Sequence, residues 1–130
     1  MEKKKGRILC VDDDKDTREM MTALLGLEGY EVVVAEGVAE GLSLALADAF
    51  DLVVLDWVFK DGTGIDLCTM IRNTDAATPI LFYSGMALNA DIDNAIRAGA
   101  QGFLVKPVDF DELLQSVSTL VVNYHPGLCN

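Results

Sequence analysis

Asp12, Asp13, Asp56, Ser84 and Lys106 stand at the ends of four short apolar runs, ILCV, LVVL, ILFY and FLV, and these are the positions where side-chain chemistry has to be sought. A carboxylate at the end of a buried strand is costly unless something offsets its charge. Three carboxylates gathered at one edge repel one another, and stay ionised at neutral pH only beside a compensating cation. Hard oxygen ligands with room for water suit Mg²⁺, which takes one or two carboxylates and leaves positions open for a phosphate. The set points to a metal-assisted phosphoryl acceptor. Asp56 would be the nucleophile that becomes an acyl phosphate, Lys106 and Mg²⁺ would neutralise charge on the transferring oxygens, and the Ser84 hydroxyl would donate to one of them. Taken one at a time, Ser84 before Gly85 reads as a turn former and Lys106 as a solvated strand-end lysine. Asp56 with Asp13 and Lys106 is the combination that points to a site.

These residues meet only if the apolar runs are neighbouring parallel strands. Ile8 to Val11 reads as a strand buried on both faces. From about Asp16, Met20, Met21, Leu24 and Leu25 fall on one helical face, with Asp14 or Asp16 as the cap and Gly26 and Gly29 marking the stop. The unit repeats with a strand from Glu31 to Ala35 and a helix carrying Val38, Leu42, Ala45 and Leu46. Leu52 to Leu55 is the third strand, and a loop, Lys60 to Gly64, leads to a helix with Ile65, Cys68 and Ile71. The fourth strand, Ile80 to Tyr83, precedes a weakly amphipathic helix from about Asn89 to Ala98. Its shallow apolar face (Ile92, Ala95 and Ile96) marks it as the mobile or partner-facing helix. Phe103 to Val105 is the last strand, and Phe110, Leu113, Leu114, Val117, Leu120 and Val121 give the clearest helix, with a tail from Tyr124. Five strands alternating with five helices predict an α/β fold, a parallel sheet with helices on both faces. Such sheets bind ligands beyond the carboxyl ends of their strands, near the point where strand order reverses.

Composition narrows the function. At 130 residues and 51% hydrophobic content, the chain has enough material for one domain with a substantial core. Ten Lys+Arg against 21 Asp+Glu, a net charge of -11, would repel a phosphate backbone, so direct nucleic-acid binding is not expected. No signal peptide and no apolar run of about 20 residues is present, so no membrane association and a cytoplasmic location are expected. Cys10, Cys68 and Cys129 lack metal or disulfide spacing and read as idle thiols. His125 reads as a solvent-facing tail residue and not as a phosphodonor.

VDDD at 11–14, LDWVFKDGTG at 55–64, FYSG at 82–85 and FLVKP at 103–107 together resemble the receiver domain of two-component response regulators. The resemblance covers residues 7–122, leaving 1–6 and 123–130 as tails. It implies a doubly wound, flavodoxin-like (βα)5 fold with strand order 2-1-3-4-5. Asp56 would be the phosphorylated aspartate. Mg²⁺ would be held by Asp13, Asp56 and the backbone carbonyl of Val58, with Asp12 acting through water. Lys106 would precede a cis proline, Ser84 would be the switch hydroxyl and Phe103 the switch aromatic. The implied protein is a signalling switch that catalyses its own aspartyl phosphorylation and not a turnover enzyme. Its implied partners are a histidine kinase or histidine phosphotransfer protein and an output protein or attached output domain, with a phosphorylation-dependent dimer also open.

The sequence departs from that pattern at four positions. Lys60 stands where a proline is common, which leaves the rigidity of the loop open and adds a positive charge near the acidic pocket. Gly85 replaces the usual alanine. Val58 and Met86 occupy positions where polar groups often help water attack the phosphoryl, so a slowly hydrolysing aspartyl phosphate is expected. Trp57, beside Asp56, is expected to cover the pocket mouth. Two rivals remain: a haloacid-dehalogenase-like phosphatase with Asp12 as nucleophile and Asp14 as general acid, and a receiver that docks partners without phosphorylation.

Overall fold

The structure, a computed structural model, describes residues 5–85 and 89–124. Met86, His125 and Cys129 lie outside the described residues. The elements run β1 (Gly6–Val11), α1 (Lys15–Leu27), β2 (Tyr30–Ala35), α2 (Val38–Ala47), β3 (Leu52–Leu55), β4 (Val58–Phe59), β5 (Gly62–Thr63), α3 (Gly64–Arg72), β6 (Ile80–Ser84), α4 (Asn89–Ala98), β7 (Gly102–Val105) and α5 (Phe110–Tyr124). Five strands form a parallel sheet in the order β2-β1-β3-β6-β7, while β4 and β5 pair separately as an antiparallel ribbon. Counting only the strands of the main sheet, this is the flavodoxin-like order 2-1-3-4-5 expected from the sequence.

Side-chain alternation explains why the three central strands read as unbroken apolar runs. Ile8 and Cys10 on β1, Leu52 and Val54 on β3, and Leu81 and Tyr83 on β6 face α1 and α5, where they meet Met21, Leu25, Leu113 and Val117. The intervening Leu9, Val11, Val53, Leu55, Ile80 and Phe82 face the other way, onto Val38, Leu67, Cys68, Ile71 and Ala95 of α2, α3 and α4. A period of two with both faces covered leaves no polar position inside the strand.

Several boundaries differ from the sequence expectation. Helix α1 runs through Gly26 to Leu27 and is capped by Asp14, whose side chain accepts from the Thr17 N–H. One glycine costs a helix interior only about 1 kcal/mol, which the burial of Met21 and Leu25 on the same helix outweighs. Helix α5 continues to Tyr124, and its Phe110 is 55% exposed instead of buried. Helix α4 segregates apolar from polar residues as cleanly as α5 does, so it is not weakly amphipathic. It is shallow: of its apolar residues only Ala95 is fully buried, and Ile96 is 56% exposed. The segment read as a loop after Asp56 contains the β4–β5 ribbon.

Candidate functional site

Strand order reverses between β1 and β3, because β1 is followed by β2 on one side while β3 is followed by β6 and β7 on the other. The loops leaving β1 and β3 therefore diverge and open a crevice at the carboxyl edge of the sheet. The ladder runs one residue past each strand. The Asp12 N–H donates to the Ala35 carbonyl (3.0 Å) and the Asp56 N–H to the Val11 carbonyl (3.1 Å), which sets the two acids side by side. Asp12, Asp13 and Asp56 each offer a carboxylate oxygen within 4.8 Å of the others.

Each acid is held differently. Asp12 is buried, 2% exposed. Its Oδ1 accepts from the Asp14 N–H (2.9 Å), its Oδ2 from the Lys106 ammonium (2.9 Å), and its backbone carbonyl from the Arg18 guanidinium (2.8 Å). Burial pushes its carboxyl above the ordinary range, against the opposing pull of the Asp14 N–H and Lys106. Asp56 is half-buried. Its Oδ1 accepts from the Trp57 N–H (2.7 Å), and its Oδ2 lies 3.5 Å from the Lys106 nitrogen. Asp13 is exposed and lines a depression of about 350 Å³ with Glu36, Glu40, Lys60 and Asp61. The extra positive charge expected from Lys60 is therefore beside the acids.

Lys106 joins Asp12 to Asp56. Burial works against its charge, but the hydrogen bond to Asp12 and the charges of Asp12 and Asp56 outweigh that and hold its pKa above the usual lysine value. Its N–H donates to the Ser84 carbonyl (2.8 Å), and the peptide to Pro107 is cis. Ser84 is buried at the end of β6, in register with Val105. Beneath the site, Cys10 is inert: burial and the adjacent Asp12 charge push its thiol up to about 12.

Phe103 makes its ring contacts with Phe82 and Trp57. It is in register with Phe82 across β6 and β7, stacks on it at 5.8 Å and 10°, and meets Trp57 at 6.0 Å. The Trp57 ring, partly buried, also packs on Phe82 at 5.5 Å.

Two residues of the acceptor loop went unnoticed in the sequence. Gly64 lies so close to the Asp56 backbone carbonyl that a Cβ there would collide with it, and would also lie 2.7 Å from Phe82. This closeness lets the Gly64 N–H reach the Trp57 carbonyl (2.7 Å) and close the loop. Asp61 accepts from the Val38 and Ala39 N–H groups at the start of α2. Glycines and acids in the loop were visible, but neither contact has a local sequence signature. In contrast, Asp14 is spent as the α1 cap, bonding both the Thr17 N–H and its hydroxyl. With Asp12 buried and both its oxygens engaged, the DxD of the phosphatase rival is not arranged for attack.

Residues 8–118 match the family described as the response regulator receiver domain. Over 115 residues the chain is 34% identical to the transcriptional regulatory protein CusR of Escherichia coli K12, covering 88% of this chain and 51% of CusR. The chain spans about half the length of CusR and of the transcriptional regulatory protein DltR of Streptococcus agalactiae, which it also matches. Among solved structures, a two-component response regulator from Clostridium difficile superposes with a TM-score of 0.87 at 27% identity, covering 92% of this chain and 98% of that one. The response regulator TrrA of Thermotoga maritima, in complex with Mg²⁺ and BeF, superposes with a TM-score of 0.81 at 31% identity, covering 88% and 97%. The chain belongs to the response regulator receiver domain family.

Proposed function

We propose that the chain accepts a phosphoryl group on Asp56 from a phosphohistidine of a histidine kinase or phosphotransfer protein, and that this switches partner binding. The observation that carries the reading is Lys106, whose one ammonium reaches both Asp12 (2.9 Å) and Asp56 (3.5 Å) beside a three-carboxylate cluster. In the transfer, the phosphorus–nitrogen bond to the donor imidazole breaks as a bond to an Asp56 carboxylate oxygen forms. Lys106 stays charged and balances the oxygens of the phosphoryl group. The three acids fit a divalent ion; Asp13, Asp56 and the Val58 carbonyl would hold it, with Asp12 acting through water, and it would supply further positive charge to the transferring oxygens.

The product carries more negative charge than the carboxylate it replaces. Ser84, already bonded through its carbonyl to the Lys106 N–H, would turn its hydroxyl toward the phosphoryl. Phe103 and α4 would then repack, presenting a changed surface of α4, β7 and α5 to an output protein, to an output domain or to a second copy. The receiver domain family consists of signalling switches, and this chain would catalyse only its own modification, in the cytoplasm. No helix among the described residues is long and apolar enough to cross a membrane. The functional unit is taken as residues 7–122.

Trp57 is the single tryptophan and its backbone touches the Asp56 carboxylate, so it reports on the site. Mg²⁺ with a beryllofluoride phosphoryl mimic is expected to change its fluorescence in the wild type and not in Asp56→Asn. A silent wild type would favour phosphorylation-independent docking.

A further inference from the structure

A two-residue ribbon is too short to be stable alone, yet β4 and β5 carry Val58, whose carbonyl is the third protein ligand in the reading above. Something else must hold this segment. Phe59, buried to 4% exposure, anchors one side. At the turn, the Asp61 carboxylate reaches across to α2, where Oδ1 accepts from the Val38 N–H (2.8 Å) and Oδ2 from the Ala39 N–H (3.1 Å). Helix α2 has no cap of its own, because its N-cap position is Gly37, which has no side chain. Its first N–H groups are satisfied by an acid 22 and 23 residues further along the chain. Gly37 also leaves the room: a Cβ at that position would lie 2.5 Å from Asp61 Oδ1. The contact is two-sided, with a carboxylate on the ribbon and a vacant space on the helix.

We propose that Asp61 is a positioning residue for the metal-binding loop, tying the β4–β5 turn to α2 so that the Val58 carbonyl is held where it can share a cation with Asp13 and Asp56. This rests on the phosphoacceptor reading. Both α2 and the acids are fixed to the same sheet. β1 carries Asp12 at its end, and the Asp12 N–H bonds to the Ala35 carbonyl just ahead of α2. The tie therefore references the ribbon to the frame that holds the acids. Groups that orient metal ligands from behind typically govern metal affinity by about 10–100-fold.

The bland alternative is that Asp61 only caps α2 and contributes to stability, and a pair of readouts separates the two. Mg²⁺ affinity by titration calorimetry is expected to fall about tenfold in Asp61→Ala and less in Asp61→Asn, whose single carbonyl oxygen keeps one of the two bonds. Gly37→Ala disturbs the contact from the other side and should weaken Mg²⁺ too, and the double variant should be no weaker than the worse single one because both break one contact. Glu40→Gln removes an equal charge from the same depression without touching the tie, and should leave affinity within about twofold. Thermal melting of each variant is followed alongside. A lower melting temperature with wild-type Mg²⁺ affinity in Asp61→Ala would overturn the proposal, as would an equal loss of affinity in Glu40→Gln. A wild type that binds no Mg²⁺, or binds it equally well as Asp13→Asn, would instead remove the phosphoacceptor reading beneath it.

Discussion

Segment 57–63 and helix α4 are held with very different firmness. The first is tied at nearly every step: the Trp57 N–H to Asp56, the Trp57 carbonyl to the Gly64 N–H, the ribbon pairs Val58–Thr63 and Phe59–Gly62, Asp61 to α2, and Thr63 as the cap of α3. Among the described residues, the side-chain hydrogen bonds that hold helix α4 gather at its far end. The Ala98 carbonyl accepts from Cys68, and the Gly99 carbonyl accepts twice from the Arg72 guanidinium (3.0 and 2.8 Å). Toward its start, Asp91 Oδ2 is buried with no hydrogen-bond partner among the described residues. Helix α5, covering the opposite face of the same sheet edge, sinks Leu113, Val117, Leu120 and Val121 into the core. The difference fits the roles proposed above for the two segments. A site that must place three carboxylates and a carbonyl needs the fixed segment, and a signal that must leave the site is carried most cheaply by the helix with the least to lose.

The largest expected effect is on the fixed side. Lys106→Met leaves Asp12 buried without its cation and should cost about 3 kcal/mol at neutral pH, read by urea denaturation. The sign of its pH dependence follows from Asp12, whose folded carboxyl already sits above the ordinary range. The unfolded chain gives up that proton first, so the variant loses stability as pH rises from the ordinary carboxylate range through the folded value. In the wild type, the folded pKa of Lys106 lies above its ordinary 10.5, so the contribution of the Lys106 charge is complete below 10.5 and is lost as pH climbs through the folded value. Gly64→Ala comes next. A Cβ against the Asp56 carbonyl and Phe82 should cost about 2 kcal/mol and lower the phosphorylation rate through the displaced loop.

On the loose side, Ile96→Asp should change stability by less than about 0.5 kcal/mol; a cost comparable to that of Gly64→Ala would erase the contrast between the two segments. The smallest effect on stability is expected from Val58→Asn with Met86→Glu. Val58 is 51% exposed, so folding should be unchanged while the aspartyl phosphate decays faster. Equal decay in wild type and variant would remove Val58 and Met86 from the account of phosphoryl lifetime.

Much of this was legible in the residues. Asp12, Asp13, Asp56 and Lys106 stood out because a sheet covered on both faces leaves polar side chains only at strand ends, and parallel strands bring those ends to one edge. Strands β1, β3 and β6 declared themselves for the same reason. The β4–β5 ribbon did not, because two residues have no period to read. Asp61 and Gly37 lie 24 positions apart, so their fit depends on where α2 and the ribbon sit and not on any local pattern. The stack of Phe103 on Phe82 follows from the register of β6 against β7, which neither strand encodes alone. Phe110 misled because helical spacing marks a face without marking its depth.

The central claim is that Asp56, and no other acid, carries the phosphoryl group. Incubating the chain with Mg²⁺ and acetyl phosphate, reducing the acyl phosphate with borohydride and sequencing the peptides by mass spectrometry locates the adduct as homoserine. The account predicts homoserine at position 56 alone, dependent on Mg²⁺ and abolished in Asp13→Asn. Homoserine at position 12, or none in a folded protein that binds Mg²⁺, would contradict it.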